Sequence, residues 1–142
     1  MTRRDGLRLA ALALAVSTLV LLPLRAQEDR WAKEIAAFEA ADQARPFAPG
    51  GIVFVGSSSI RLWDLAAAFP GRRVLNRGFG GTQIADSVRH VDRLVLRHRP
   101  AIVVFYAGDN DINAGRTPTQ VRDDFRAFVS KVHAALPTTS MV

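Results

Sequence analysis

Short runs of apolar residues, each followed by small or polar residues, alternate along this chain with longer stretches of helical periodicity. The runs are Ile52–Val55, Val74–Asn76 and Ala101–Ala107, and Ser140–Val142 has the character of a fourth. Apolar runs bounded by turn residues are typical of strands that are buried on both faces of a parallel sheet. The sequence therefore predicts four strands joined by helices.

Between and before these runs, apolar residues recur three and four positions apart, which predicts amphipathic helices. The predicted helices span 28–42, 59–69, 82–98 and the segment from Thr117 to Pro137. Thr117 and Gln120 form a capping box, and Pro118 suits the first helical position. Trp31 is predicted to pack in the core rather than in a substrate pocket. This β-α-β-α-β-α-β order predicts an α/β domain with three layers, α/β/α, and a parallel sheet.

Three loops rich in small and polar residues follow the first three strands: Gly56–Ser59, Arg77–Gly81 and Gly108–Arg116. Right-handed crossovers would place all three loops at one edge of the sheet, where open α/β sheets bind ligands. Taken singly, each loop is explained equally well by turn formation or helix capping. Asp109 and Asp111 could ligate a hard cation, but the loop lacks the further ligands of a calcium site. We therefore predict neither a metal nor a cofactor.

The N-terminal segment predicts export. Three arginines precede residue 9, residues 9–24 carry no charge, and a small residue, Ala26, follows Arg25. This pattern is typical of a secretory signal peptide, so we predict a signal in residues 1–26 and a mature domain in 27–142. An uncleaved N-terminal anchor is the alternative. The expected location is periplasmic or secreted, and the absence of cysteine means that no disulfide stabilises the exported chain.

The charge of the chain argues against a nucleic-acid partner. Lysine and arginine number 19 against 13 acidic residues, which gives a formal net charge of +6. These charges are spread along the chain, whereas a nucleic-acid footprint would cluster them. We expect an ester of a small molecule, carbohydrate or lipid as the ligand, and no stable membrane association after signal cleavage.

Taken together, the three loops indicate a function more specifically than any one of them does. Gly56-Ser57-Ser58-Ser59, Asn76-Arg77-Gly78-Phe79-Gly80-Gly81 and Gly108-Asp109-Asn110-Asp111 occur in order, each after a strand. This arrangement resembles the SGNH, or GDSL-like, hydrolase superfamily of esterases and lipases, from about Gly51 to the end of the chain. The resemblance implies the flavodoxin-like SGNH hydrolase fold and the cleavage of carboxylic esters.

The resemblance also implies roles for three residues. Ser58 falls on the family's nucleophile, Gly81 on the glycine whose backbone N–H helps to bind the oxyanion, and Asn110 on the asparagine whose amide does the same. Acyl transfer needs these groups, a hydroxyl nucleophile and preorganised donors where negative charge develops. The backbone N–H groups of Ser58 and Gly81, with the Asn110 amide, would give three donors. The chain departs from the usual motif at Ser57, where the family commonly has aspartate.

The base that would activate Ser58 is missing from the sequence. In the family it is a histidine three residues after an aspartate, in a block near the C-terminus, and no Asp-x-x-His occurs here. We predict that His90, His98 and His133 are solvated or helix-end histidines. The expectation is therefore a C-terminally truncated SGNH-type domain, incomplete in its last strands.

Three functions remain open from the sequence. The first is an exported serine hydrolase that cleaves acyl or acetyl esters, including those of carbohydrates or lipids. The second is an inactive fragment or a non-catalytic binding module for acylated ligands. The third is an acyltransferase that uses a sugar or cell-wall polymer as acceptor.

Overall fold

The computed structural model describes residues 29–142, which form a parallel four-stranded sheet with helices packed against it. The predicted signal segment in 1–26 lies outside the described residues. The strand order is β2-β1-β3-β4. The strands are β1 Ile52–Gly56, β2 Val74–Gly78, β3 Ile102–Tyr106 and β4 Ser140–Met141. The predicted α/β fold with a parallel sheet is confirmed, including the opening of a fourth strand.

The carboxyl ends of the first three strands are level with one another. Gly56 at the end of β1 is in register with Gly78 of β2 on one side and with Tyr106 of β3 on the other. Because all pairings are parallel, the three loops that follow these strands emerge at the same edge. The sheet thus places the three motif segments side by side, as predicted, but the third is not a loop throughout, because Asp109–Asn113 forms a short helix.

The helices are shorter than predicted in two places. Segment 59–69 divides at 62–64, where Asp64 accepts the backbone N–H of Ala67 at 3.0 Å and starts a new helix. Segment 82–98 divides at His90 and ends at Arg99, which has a left-handed φ of 46°. The helices are α1 Ala32–Ala44, α2 Ser58–Arg61, α3 Leu65–Ala68, α4 Ile84–Arg89, α5 Val91–Leu94, α6 Asp109–Asn113 and α7 Pro118–Ala135, with a 3-10 turn at Leu96–His98.

The last helix begins as predicted. Thr117 Oγ1 accepts the backbone N–H of Gln120 at 3.2 Å, and Gln120 Oε1 accepts the N–H of Thr117 at 2.9 Å. Pro118 occupies the first helical position. None of the helices in residues 29–142 has both the length and the apolar character that crossing a bilayer requires.

Two apolar cores lie on the sheet. The larger joins α1, α5 and α7 to β1 and β3, and the smaller holds α2 and α3 against Phe54 of β1. Trp31 is buried and meets Phe79 edge to face at 5.5 Å, so the prediction that it packs in the core is confirmed. The larger core includes Ile35, Val53, Val55, Phe79, Leu94, Val103, Phe128 and Val132.

Of the predicted solvated or helix-end histidines, His90 and His98 are at helix ends but are not solvated. His90 and His98 are only 5% and 4% exposed. His90 lies at the end of α4, next to the residues before α1. His98 lies at the end of the 3-10 turn, next to α1. His90 Nε2 lies 3.1 Å from an Asp29 carboxylate oxygen, and His98 Nε2 lies 3.5 Å from Asp42. The carboxylates make burial of the imidazoles tolerable.

Candidate active site

The turn after β1 presents Ser58 at the edge of the sheet. Ser57 is buried with an extended backbone, and its N–H donates to the Tyr106 carbonyl at 3.1 Å. Ser58 follows as the first residue of α2 and is half-buried, whereas Ser59 is exposed. At Gly56, with φ of 151°, a Cβ would lie 1.9 Å from the Tyr106 carbonyl oxygen, so only glycine permits this close turn. The backbone therefore fixes where the Ser58 hydroxyl emerges.

The second loop places Gly81 at the same edge. The Phe79 N–H donates to the Gly56 carbonyl at 3.1 Å, and Thr82 Oγ1 donates to the Phe79 carbonyl at 2.9 Å. Between them Gly81 is exposed with a left-handed φ of 77°. Within residues 29–142 the Gly81 N–H makes no hydrogen bond. A glycine N–H that is exposed and unpaired is free to bind a ligand oxygen.

Asn110, in α6 after β3, bonds directly to this second loop. Its Nδ2 donates to the Thr82 carbonyl at 2.9 Å. A side-chain amide has two N–H donors, so the contact with Thr82 leaves one for a ligand. The hydrogen bond orients the amide, and it places the Asn110 donor beside the residue that follows Gly81.

Asp111 is a site residue to which the sequence interpretation assigned no role beyond a possible cation ligand. Its side chain is fully buried, and both carboxylate oxygens accept the N–H of Ile84, the first residue of α4, at 3.2 and 3.1 Å. Burial raises the pKa of this carboxyl. Asp111 therefore fixes the start of α4 and the loop before it, Arg77–Gly81, which is called the glycine loop. Its place in the Gly108–Asp111 motif was the available signal.

Asn76 was likewise quoted in a motif without a function. Its Nδ2 donates to the Ile60 carbonyl at 2.7 Å, and its Oδ1 accepts the Gly78 N–H at 2.8 Å. At Gly78 a Cβ would lie 2.2 Å from the backbone nitrogen of Arg61. The short helix α2 thus rests directly on the end of β2, and this contact holds the Ser58 turn in place.

The structure brings Ser58, Gly81 and Asn110 to one edge through these loop contacts, but it brings no histidine to Ser58. Within residues 29–142 no hydrogen bond joins Ser58 to an imidazole. His133 Nε2 lies 3.1 Å from the Thr139 carbonyl oxygen, near the start of β4. The described residues therefore supply a hydroxyl and two donors, without a base beside the hydroxyl.

An apolar groove of about 480 Å³ lies next to the Ser57–Ser59 turn. Its walls come from α2 and from β3, and the Trp63 ring and the Tyr106 ring are both about half exposed there. The lining residues are Ser59, Ile60, Trp63, Val104, Phe105, Tyr106 and Val142. The groove offers an apolar surface beside the candidate nucleophile.

Comparison with solved structures agrees with the fold. A Streptococcus pneumonia protein provisionally described as a platelet activating factor aligns with a TM-score of 0.70 at 20% identity, over 78% of this chain and 51% of that one. A GDSL-like lipase from Bacteroides thetaiotaomicron gives 0.67 at 16%, over 75% and 55%. The esterase EstA from Pseudoalteromonas gives 0.53 at 19%, over 64% and 56%. The chain thus spans about half the length of these structures.

Sequence comparison identifies the family. No curated protein is significantly similar to the chain. A profile of the GDSL-like Lipase/Acylhydrolase family matches residues 54–142, a range that begins in β1 and contains all three motif loops. Since this match covers more than half of the chain, the protein belongs to the GDSL-like lipase/acylhydrolase family.

Proposed function

We propose that this protein is an exported serine esterase in which Ser58 is the nucleophile and Gly81 and Asn110 bind the oxyanion. The observation that carries the proposal is the meeting of three loops at one sheet edge. Ser58 follows a turn bonded to the end of β3, and the Asn110 amide is bonded to the loop that contains Gly81. Family membership supports ester hydrolysis in general.

The chemistry assigns each group a defined step. Ser58 Oγ attacks the ester carbonyl carbon and gives its proton to a base, while the carbonyl oxygen becomes an oxyanion. The backbone N–H groups of Ser58 and Gly81 and the second Asn110 N–H donate to that oxygen. The intermediate then collapses, the alcohol leaves with a proton, and water hydrolyses the acyl–serine ester. The products are a carboxylic acid and an alcohol.

The proposal requires a base, and residues 29–142 place no imidazole at Ser58. The family resemblance puts an Asp-x-x-His block after the last strand, and none occurs in this sequence. A reading frame that carries such a block beyond the Val142 codon would support the proposal. A complete frame without such a block would favour the binding-module alternative.

Ser58 and Ser59 provide a matched pair for the test. In a polypeptide that contains the Asp-x-x-His block, Ser58→Ala should abolish hydrolysis of p-nitrophenyl acetate, and Ser59→Ala should leave most of it. A fluorophosphonate probe should label the wild type at Ser58, as located by peptide mass spectrometry. Activity retained in Ser58→Ala, or labelling at Ser59 instead, would overturn the assignment. Acyl transfer to an added sugar rather than to water would instead identify an acyltransferase.

Export is a separate part of the proposal and rests on the pattern of residues 1–26. The protein expressed in a bacterial host should be recovered from the periplasm or medium with Gln27 as its first residue. N-terminal sequencing tests this directly. An intact N-terminus in the membrane fraction would indicate an uncleaved anchor.

A further inference from the structure

We propose that Arg61 and Arg30 select esters that carry a negatively charged group close to the ester bond. This inference rests on the proposed function for the position of the ester, but it concerns a different part of the site. The two arginines come from different elements, the end of α2 and the residues before α1, and both side chains reach the glycine loop. Both are exposed to solvent.

The guanidinium of Arg61 lies directly on Gly80. A Cβ built on Gly80 would be 2.8 Å from Cζ, 2.9 Å from Nη1 and 3.1 Å from Nη2. Three guanidinium atoms at nearly equal distances mean that the flat face of the group rests on the glycine. Because Gly80 has no side chain, the Arg61 guanidinium can pack against its backbone. Since Ser58 and Arg61 are three residues apart, they lie on the same face of α2.

Arg30 approaches the next residue of the loop. A Cβ built on Gly81 would be 3.9 Å from Arg30 Nη2 and 3.7 Å from Trp31 Cη2. The Arg30 guanidinium lies over the Trp31 ring, 4.6 Å from its centroid. Because Trp31 is buried and packed on Phe79, its ring is a rigid support for the Arg30 cation.

Neither guanidinium has a carboxylate partner in the part of the chain that the structure describes. Among residues 29–142, no carboxylate oxygen lies within 4.0 Å of Arg30 or Arg61, whereas Arg77, Arg93, Arg97, Arg116 and Arg122 all have such partners. The carboxylates of the site loops have other partners. Asp111 accepts from Ile84, and Asp109 accepts from the Tyr106 hydroxyl at 3.2 Å. Within residues 29–142 the glycine loop therefore carries two positive charges without a carboxylate in direct contact with either guanidinium.

The spacing defines the class of ligand. Adding one backbone step from Gly80 to Gly81 puts the Arg61 guanidinium within roughly 6 Å of the Gly81 N–H that would bind the oxyanion. Guanidinium groups bind carboxylates through two parallel N–H bonds. A carboxylate a few bonds from the ester carbonyl would reach Arg61 while the carbonyl stays at Gly81. The charge could belong to the acyl part or to the alcohol part of the ester.

The test measures binding, so it needs no reaction at Ser58. Amide shifts of the purified protein are followed by ¹H–¹⁵N NMR during titration with monomethyl succinate, whose charge is on the acyl side, and with acetoxyacetate, whose charge is on the alcohol side. Dimethyl succinate and methyl acetoxyacetate are the neutral controls. At least one acid should shift the Gly80 and Gly81 amides with a Kd about tenfold or more below that of its neutral ester. The acid that does so identifies which part carries the charge.

Variants separate recognition from folding. Arg61→Gln should weaken the preference for the acid, because only Arg30 then remains. Arg61→Lys should restore part of the preference, and Arg72→Gln, an exposed arginine elsewhere, should leave it unchanged. Gly80→Ala should also weaken it, because the new methyl group displaces the flexible end of Arg61. Its unfolding midpoint should stay close to the wild-type value.

Equal affinity for acid and neutral ester, or an undiminished preference in Arg61→Gln, would overturn the proposal. Failure of the proposed hydrolase function gives a different result from failure of the anion site. If Ser58 proves unreactive while the acid preference persists in both the wild type and Ser58→Ala, the hydrolase assignment fails and the anion site stands.

Discussion

Both carboxylate oxygens of Asp111 accept the backbone N–H of Ile84, at 3.2 and 3.1 Å. The contact joins the third motif loop to the start of α4, immediately after the loop that contains Gly81. The neighbouring Asn110 donates to Thr82, two residues before Ile84. Two adjacent residues of α6 therefore hold one short backbone segment, and the two proposed oxyanion donors are positioned relative to each other.

Removing this contact should destabilise the fold. Asp111→Ala leaves the buried N–H of Ile84 without an acceptor, which should lower the free energy of unfolding by about 1–3 kcal/mol. Asp111→Asn keeps one acceptor oxygen and should cost less. Urea unfolding measures both, with the exposed Asp123→Ala as control, expected within about 0.5 kcal/mol of wild type. Equal stability of wild type and Asp111→Ala would contradict the role given to Asp111.

Gly78→Ala should displace the turn that carries Ser58. The added methyl group would meet the backbone nitrogen of Arg61 at 2.2 Å, and a backbone cannot move aside as a side chain can. We expect a loss of about 1–3 kcal/mol in stability. Faster amide exchange should be confined to α2.

Gly71→Ala is the control for this substitution. At Gly71 no atom lies within 4 Å of the added group and only the left-handed φ of 73° opposes it. That variant should lose stability without loosening α2. The same exchange pattern in both variants would refute the packing explanation.

Acid should destabilise the protein through His98. Burial lowers the pKa of His98 below its usual value of about 6.5, and the neighbouring Asp42 only partly opposes this. Arg77 and Arg97 also face the group and lower the pKa further. The unfolded state therefore takes up a proton more readily, so the stability that neutral His98 provides is present above about pH 6.5 and is lost as the pH falls.

Thermal unfolding between pH 7.5 and 5.5 checks the effect of His98. The wild type should lose stability over this interval, and His98→Gln should lose less, although it starts from a lower value. The exposed His133→Gln variant should keep the wild-type dependence. A dependence that is identical in His98→Gln and wild type would exclude His98 as its source.

Asn110→Ala tests the proposed oxyanion donor. In a polypeptide that hydrolyses esters, loss of one such donor should reduce kcat by roughly 10²–10³. Asn113→Ala removes an exposed asparagine from the same short helix and should leave kcat within about twofold. If Asn110→Ala reduced only the melting temperature and left kcat unchanged, Asn110 would be a structural residue.

Local signals in the sequence were sufficient for the fold. The strands are continuous apolar runs, and the capping box of Thr117 and Gln120, three residues apart in the sequence, marks the start of α7. The helix breaks at Asp64 and His90 were missed. Apolar spacing continues across both, although Asp64 is a residue that can cap a new helix and does so here. Element type was predicted, whereas the interruptions were not.

The candidate site also has features that the sequence predicted and features that it did not. The alternation of strands and helices placed the three motif loops on one edge, and the family resemblance selected Ser58, Gly81 and Asn110 within them. The contacts of Asp111 with Ile84 and of Asn76 with Ile60 join residues 27 and 16 positions apart, and no local pattern specifies such partners. The burial of His98 depends on α1, which supplies Asp42 from far away in sequence. Long-range pairing was therefore the part that the sequence could not show.

The central position of β1 has a consequence for the order in which the site assembles. Ile52 pairs with Val74, 22 residues away, and with Ile102, 50 residues away. Closing the longer loop costs about 0.7 kcal/mol more chain entropy, from (3/2)RT ln(50/22). The parallel β1–β2 unit, with Ser58 and the glycine loop, should therefore form ahead of β3. The hydrogen bond from the Ser57 N–H to the Tyr106 carbonyl and the placement of Asn110 both depend on β3, so they would complete the site last.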